Sequence, residues 1–235
     1  MLVSNSHDFV FIRVPKAGST SALFYFMNAG LYNLNTDIVA VDGRFHSWKH
    51  LEKCLLDHPE NYLTEANNIP PLDLGYVERN VHTSYSELVN KGRIKYDMPC
   101  FSTVRNPIDR LCSFYFYNEK RKKVWRQKPT SLNVDDFCYL ACMEVSRINP
   151  LAAKTPQYSY FPEHATLWNT ENLYEHAVKD ITAMGGTVKK PIHVRKTRLE
   201  PNDYKKQLSH EVIQMVELKY AKDFELWEKA YAVYN

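Results

Sequence analysis

Lys16, Ala17, Gly18, Ser19, Thr20 and Ser21 stand together in "VPKAGSTS", between the apolar run Phe9–Val14 and a second apolar stretch that opens at Ala22. The lysine brings a full positive charge and the three hydroxyls bring hydrogen-bond donors. The glycine lets the backbone come close to a ligand. If a helix begins just after the glycine, its first N–H groups and its dipole favour an anion at the same spot. The six residues therefore predict a cradle for a phosphate-bearing ligand rather than a plain turn. The order differs from the nucleoside-triphosphatase loop G-x-x-x-x-G-K-[ST], in which the lysine follows the last glycine. Here Lys16 precedes Gly18, and the next apolar strand ends in Arg105 where an aspartate would be needed to hold magnesium. Metal-dependent ATP hydrolysis is disfavoured, and no metal is expected.

"CFSTVRNPIDRLCSFYFY" repeats the arrangement. Asn106 suits a helix N-cap, Pro107 the first helical position and Asp109 the first turn. Arg105 then sits between a strand end and a helix mouth, and Ser113 shares a helix face with Asp109. A guanidinium and a hydroxyl there suit a second phosphate, while a structural Arg105–Asp109 pair is the alternative. In "YVERNVHTSYSELVNKG", His82 lies just ahead of Ser84 and Glu87, an S-x-x-E capping box. A histidine at such a junction can act as a general base near neutral pH. Glu78 and Glu65 are the carboxylate alternatives, and His46 is a weaker one. After Gly185-Gly186, "TVKKPIHVRKTRLEP" carries five basic residues, and six of the nine residues Lys120–Lys128 are basic, with Trp125 among them.

The elements that must hold these groups are predicted as strands at Phe9–Val14, Asp37–Val41, Pro99–Val104 and Pro191–Val194. Helices are predicted at Thr20–Asn28, Trp48–Leu56, Tyr85–Lys91, Pro107–Lys120, Val134–Glu144 and Asn172–Met184, with one long terminal helix from His210 to about Ala230. Strands alternating with helices imply a single α/β domain, residues 1–235, with a central, mostly parallel sheet flanked by helices and a phosphate-binding strand–loop–helix. Ligands in such folds gather at the carboxyl ends of the strands. Val212, Met215, Val216, Tyr220, Phe224 and Trp227 recur at helical spacing as a core-facing stripe. The chain is 44% hydrophobic and 24% charged with a net charge of +3, so bulk charge gives no expectation of nucleic-acid binding. Five cysteines without a CxxC pair read as reduced, buried thiols. No uninterrupted run of about eighteen apolar residues is present and no leader is evident, which reads as a cytosolic chain without a membrane span.

"VPKAGSTS" resembles the 5′-phosphosulfate loop of the sulfotransferases, and "VRNPIDRLCSFYF" resembles their 3′-phosphate motif, the two lying in the same order roughly ninety residues apart. The pattern is most similar to carbohydrate sulfotransferases of the Golgi, especially the heparan sulfate and uronyl 2-O-enzymes; a trimmed lumenal domain is accordingly the alternative to a cytosolic protein. The resemblance implies 3′-phosphoadenosine 5′-phosphosulfate (PAPS) as co-substrate, adenosine 3′,5′-bisphosphate (PAP) as product, and no metal. Lys16 through Ser21 fall on the family's 5′-phosphosulfate residues, and Arg105 and Ser113 on its 3′-phosphate residues. His82 falls on the catalytic histidine of the heparan sulfate enzyme, whereas Asn80 replaces a second histidine there. "HVRKT" is similar to a late basic segment that closes over the donor, which assigns Arg195, Lys196 and Thr197 to donor binding. Lys122, Lys123, Trp125 and Arg126 are the candidate acceptor contacts, suited to an anionic glycan that offers a hydroxyl; a plain solvent-exposed face is the alternative for this basic run. The aromatic residues of "TPQYSYF" would line the adenine or acceptor pocket, or simply the core. Two other functions fit part of the sequence. A nucleotide or sugar kinase would need magnesium and ATP, and a non-catalytic polyanion binder using Lys120–Lys128 would need neither Lys16 nor His82.

Overall fold

The computed structural model describes residues 1–31, 38–39, 82–124, 132–143, 151–189 and 206–234. Five strands form one sheet in the order β3-β1-β2-β4-β5: β1 (Leu2–Ser4), β2 (Phe9–Ile12), β3 (Ile38–Val39), β4 (Cys100–Val104) and β5 (Thr166–Asn169). β2, β4 and β5 run parallel, while β1 pairs antiparallel with both β2 and β3. Around the sheet lie α1 (Ser19–Asn28), α2 (Tyr85–Asn90), α3 (Pro107–Val124), α4 (Val134–Cys142), α5 (Leu151–Lys154), α6 (Leu173–Ala183), α7 (His210–Lys219) and α8 (Ala221–Tyr231). The protein is a single-domain α/β fold with the sheet flanked by helices, as the alternation of elements predicts.

All four residues of β2 are buried, which is what a strand covered on both faces requires. Alternation sends Phe9 and Phe11 to one face and Val10 and Ile12 to the other. The first face packs on α1 and α6, where Phe26 stacks flat on Trp168 with centroids 4.9 Å apart. The second packs on Tyr85 and Leu88 of α2 and on Tyr160. A third cluster joins α3, α4 and α7 through Leu111, Phe137, Val212 and Tyr220. Three of the described cysteines are buried, and all four are free thiols; burial raises Cys100 and holds Cys142 up at about 11. Among the described residues no helix is long and apolar enough to cross a membrane.

The structure departs from the expected elements at several places. β1, β5 and the short helix α5 have no counterpart among the elements that the sequence pattern predicts. The terminal helix is two helices, because Tyr220 leaves helical geometry (φ −109°, ψ 26°) and turns its hydroxyl to the Ala153 carbonyl at 3.2 Å. The bend changes which residues of α8 face inward: Asp223 is fully buried, while Phe224 and Trp227 are only partly so. The expected strand Pro191–Val194 and helix Trp48–Leu56 lie outside the described residues.

His176 of α6 is buried and accepts the Asn169 amide on Nε2 at 3.1 Å, with Tyr234 edge-on at 4.6 Å. Burial lowers its pKa from 6.5, only partly offset by Asp180. The unfolded chain therefore binds more protons than the native one as pH falls below about 6.5. Stability should fall through that window by at most about 1.4 kcal/mol per pH unit. Denaturant titrations between pH 5 and 7.5 should show this slope in the parent protein and lose part of it in His176→Phe.

Candidate active site

The carboxyl ends of the three parallel strands deliver Arg13, Arg105 and Thr170 to the same edge of the sheet. Beyond β2 the chain makes a tight loop in which Lys16 and Gly18 both take positive φ, +63° and +70°. A β-carbon at position 18 would meet Thr170 Cγ2 at 3.0 Å, so the conformation and the space both call for glycine. Ser19 donates its hydroxyl back to the Val14 carbonyl at 3.0 Å, which pins the loop to the start of α1. Thr20 accepts from Arg13 Nη2 at 2.9 Å, so its own hydroxyl proton is left to donate elsewhere. Ala17 is buried beneath the loop, and Ser21 lies nearly buried in the first turn of α1. The Lys16 ammonium rests over the Tyr117 ring, 4.0 Å from its centroid.

Two arginines from the β4–α3 junction hold consecutive carbonyls of this loop. Arg110 is 1% exposed; its Nε reaches the Pro15 carbonyl at 3.0 Å and its Nη2 the Thr155 carbonyl at 3.1 Å. Burial weakens the grip of Arg110 on its proton, and the Asp223 carboxylate offsets this only in part. Arg105 is half-buried and extends Nη1 to the Lys16 carbonyl at 3.5 Å. The two candidate anion loops thus touch one another. Asn106 caps α3 as expected, its Oδ1 accepting from the N–H groups of Ile108 and Asp109 at 3.1 and 3.4 Å. Asp109 and Ser113 follow on one face of α3, each 5% exposed.

His82 arrives from 69 residues away and places Nδ1 2.9 Å from the Arg13 carbonyl. A carbonyl oxygen only accepts, so Nδ1 carries the proton and Nε2 of the neutral ring carries the lone pair. The local sequence secures this position. Ser84 and Glu87 form the complete capping box of α2. Tyr85 then ties α2 down through its N–H to the Tyr160 carbonyl (2.8 Å) and its hydroxyl to the Met98 carbonyl (3.0 Å).

Lys16 through Ser21, His82, Arg105 and Ser113 are therefore gathered around one strand edge and the adjoining helix. α3 continues through Lys122 and Lys123, roughly 8 Å along its axis beyond Tyr117. Trp125, Arg126, Arg195, Lys196 and Thr197 lie outside the described residues, as do Glu65, Glu78, His46 and Asn80. Sequence reasoning missed Arg13, Arg110, Thr170, Gln157 and Asp223. Only Asp223 had left a signal, a charge seven residues after Val216 on an otherwise apolar stripe. Beside Asn106 an open cleft of about 610 Å³ runs between α3, α7 and α8, floored by Ile108, Ile213 and Phe224. Its rim carries Glu217, Glu225 and Glu228, which does not suit a phosphate.

Comparison with curated proteins and with solved structures gives no match. A family model described as "Sulfotransferase family" matches residues 1–232.

Proposed function

Because the chain belongs to the sulfotransferase family, we propose that it transfers a sulfuryl group from PAPS to an acceptor hydroxyl, by in-line attack with His82 as base. The observation that carries this reading is the contact between two anion-binding loops at the ends of neighbouring parallel strands, Arg105 reaching the backbone of Lys16. A donor with anionic groups at two ends of one ribose needs such a pair. Gly18 packs against the Thr170 side chain with no room for a β-carbon, which fixes the loop against the end of β5.

When bound, PAPS supplies an activated sulfuryl group on a good leaving phosphate. Thr20, Ser21 and the first N–H groups of α1 hold the 5′ end, with Ala17 and Gly18 shaping the loop and Ser19 fixing it. Arg105 and Ser113 hold the 3′-phosphate. Lys16 leaves the Tyr117 ring to neutralise charge that grows on the bridging oxygen as the sulfur–oxygen bond to phosphate breaks. His82 Nε2 takes the acceptor proton as the new sulfur–oxygen bond forms. Arg195, Lys196 and Thr197 complete the donor site. The acceptor is a carbohydrate hydroxyl, and Lys122, Lys123, Trp125 and Arg126 suit one on an anionic glycan.

Thermal unfolding tests the donor directly. At a hundredfold excess over Kd, PAP should stabilise by about 2.7 kcal/mol, a rise in Tm of roughly 5–10 °C. ATP with magnesium should leave Tm unchanged. A rise with Mg-ATP alone would make this a kinase and overturn the reading.

A further inference from the structure

Arg105 stands just past the end of β4, where among the described residues no neighbouring strand pairs with its backbone. A side chain takes that place. The Arg105 N–H donates to Gln157 Oε1 at 3.0 Å, and Gln157 Nε2 donates to the Arg105 carbonyl at 2.8 Å. A primary amide offers a donor and an acceptor at fixed spacing, as a peptide unit does, so it can clamp both backbone groups of one residue. Gln157 is itself fully buried at the start of a 3₁₀ turn, Gln157–Ser159. The Asp223 carboxylate holds that turn with one oxygen on the Gln157 N–H (2.7 Å) and the other on the Tyr158 N–H (3.0 Å). Asp223 has no exposed surface and lies in the field of Arg110, which braces Pro15.

We propose that Gln157, anchored by Asp223, is a positioning residue that aims Arg105 and thereby lets the site distinguish a nucleotide with a 3′-phosphate from one without it. This rests on the assignment of Arg105 to the 3′-phosphate. With the clamp in place, the N–H and the carbonyl that flank the Arg105 α-carbon are both fixed, and the long side chain starts from a set direction. A rotation beyond about 10–20° at its base, or a shift beyond about 0.5 Å at the working atoms, exceeds the tolerance of productive geometry. The clamp also keeps two part-buried backbone groups from losing their partners.

The test is calorimetric binding of PAP and of adenosine 5′-monophosphate to the full chain. Gln157→Glu keeps the shape and the acceptor but turns an oxygen towards the Arg105 carbonyl. Gln157→Met removes both partners without burying a charge, and serves if the first variant does not fold. Either should lose about tenfold or more in affinity for PAP while the monophosphate binds as before, so that the preference for the 3′-phosphate collapses towards that of Arg105→Ala. Equal loss of both nucleotides in a folded variant would mean general support of the fold and would overturn the proposal. So would a preference that survives in a folded variant. A parent protein that does not prefer PAP over the monophosphate would instead overturn the assignment of Arg105, and this proposal with it.

Discussion

Replacing His82 with asparagine should lower kcat for sulfuryl transfer by about 10²–10⁴-fold, the range expected when a positioned general base is removed. The affinity for PAP should stay within about twofold. Asparagine retains an N–H that can serve the Arg13 carbonyl, so the contact that His82 Nδ1 makes at 2.9 Å has a substitute. What asparagine lacks is a basic nitrogen at the position of Nε2. Alanine should lose as much turnover and some stability as well, since the Arg13 carbonyl then loses its contact with the His82 ring. Turnover and PAP titration on the same preparations separate the possibilities. Parental turnover in His82→Asn would return the role of base to a carboxylate, with Glu78 and Glu65 the residues to change next. Loss of PAP binding in step with turnover would make His82 a support of the phosphate loop.

Lys16→Gly should lower kcat by about 10²–10³-fold, as expected for removing a charge that acts chiefly in the transition state. The protein should fold at least nearly as well as the parent. Position 16 has φ +63°, a conformation that costs an L-residue about 1–2 kcal/mol and glycine almost nothing. Against that gain stand the greater freedom of glycine in the unfolded chain, roughly 0.5–1 kcal/mol, and the loss of the ammonium over Tyr117, about 0.5–1 kcal/mol. The opposing contributions leave stability within about 1 kcal/mol of the parent. Lys16→Ala keeps the backbone cost and should lose both activity and stability. Paired kcat and Tm measurements on the two variants decide the matter. A glycine variant with parental kcat would remove Lys16 from the chemistry, and one that unfolds early would show that the lysine holds the loop.

The sites that could be read from the sequence were those whose signals are local. The strand–loop–helix at Lys16–Ser21, the Asn106 cap behind Arg105 and the Ser84–Glu87 box behind His82 each fit within a dozen residues, and each stands as the spacing predicts. β1 and β5 have three and four residues, too few for a period to declare itself. The terminal stripe continues in phase across Tyr220, so the bend there left no trace in the pattern. The residues that tie the loops together were illegible for a different reason. Gln157 meets Arg105 across 52 positions and Asp223 across 66. Arg13 looked like a strand residue and Arg110 like one more helix charge until the chain around them closed.

The reach of Asp223 has a consequence for how the protein comes into being. Synthesis proceeds from the amino end, so the Lys16 loop, the His82 segment and the β4–α3 junction are all made well before α8. Until α8 docks, the turn at Gln157 lacks its carboxylate and Arg105 its fixed heading. On the reading proposed above, a nascent chain without α8 owns Lys16, Arg105 and Ser113 but lacks the anchor that aims Arg105 at a 3′-phosphate. A cut between α7 and α8 should therefore weaken the preference for PAP over the monophosphate, although α8 contributes no residue to the proposed donor site.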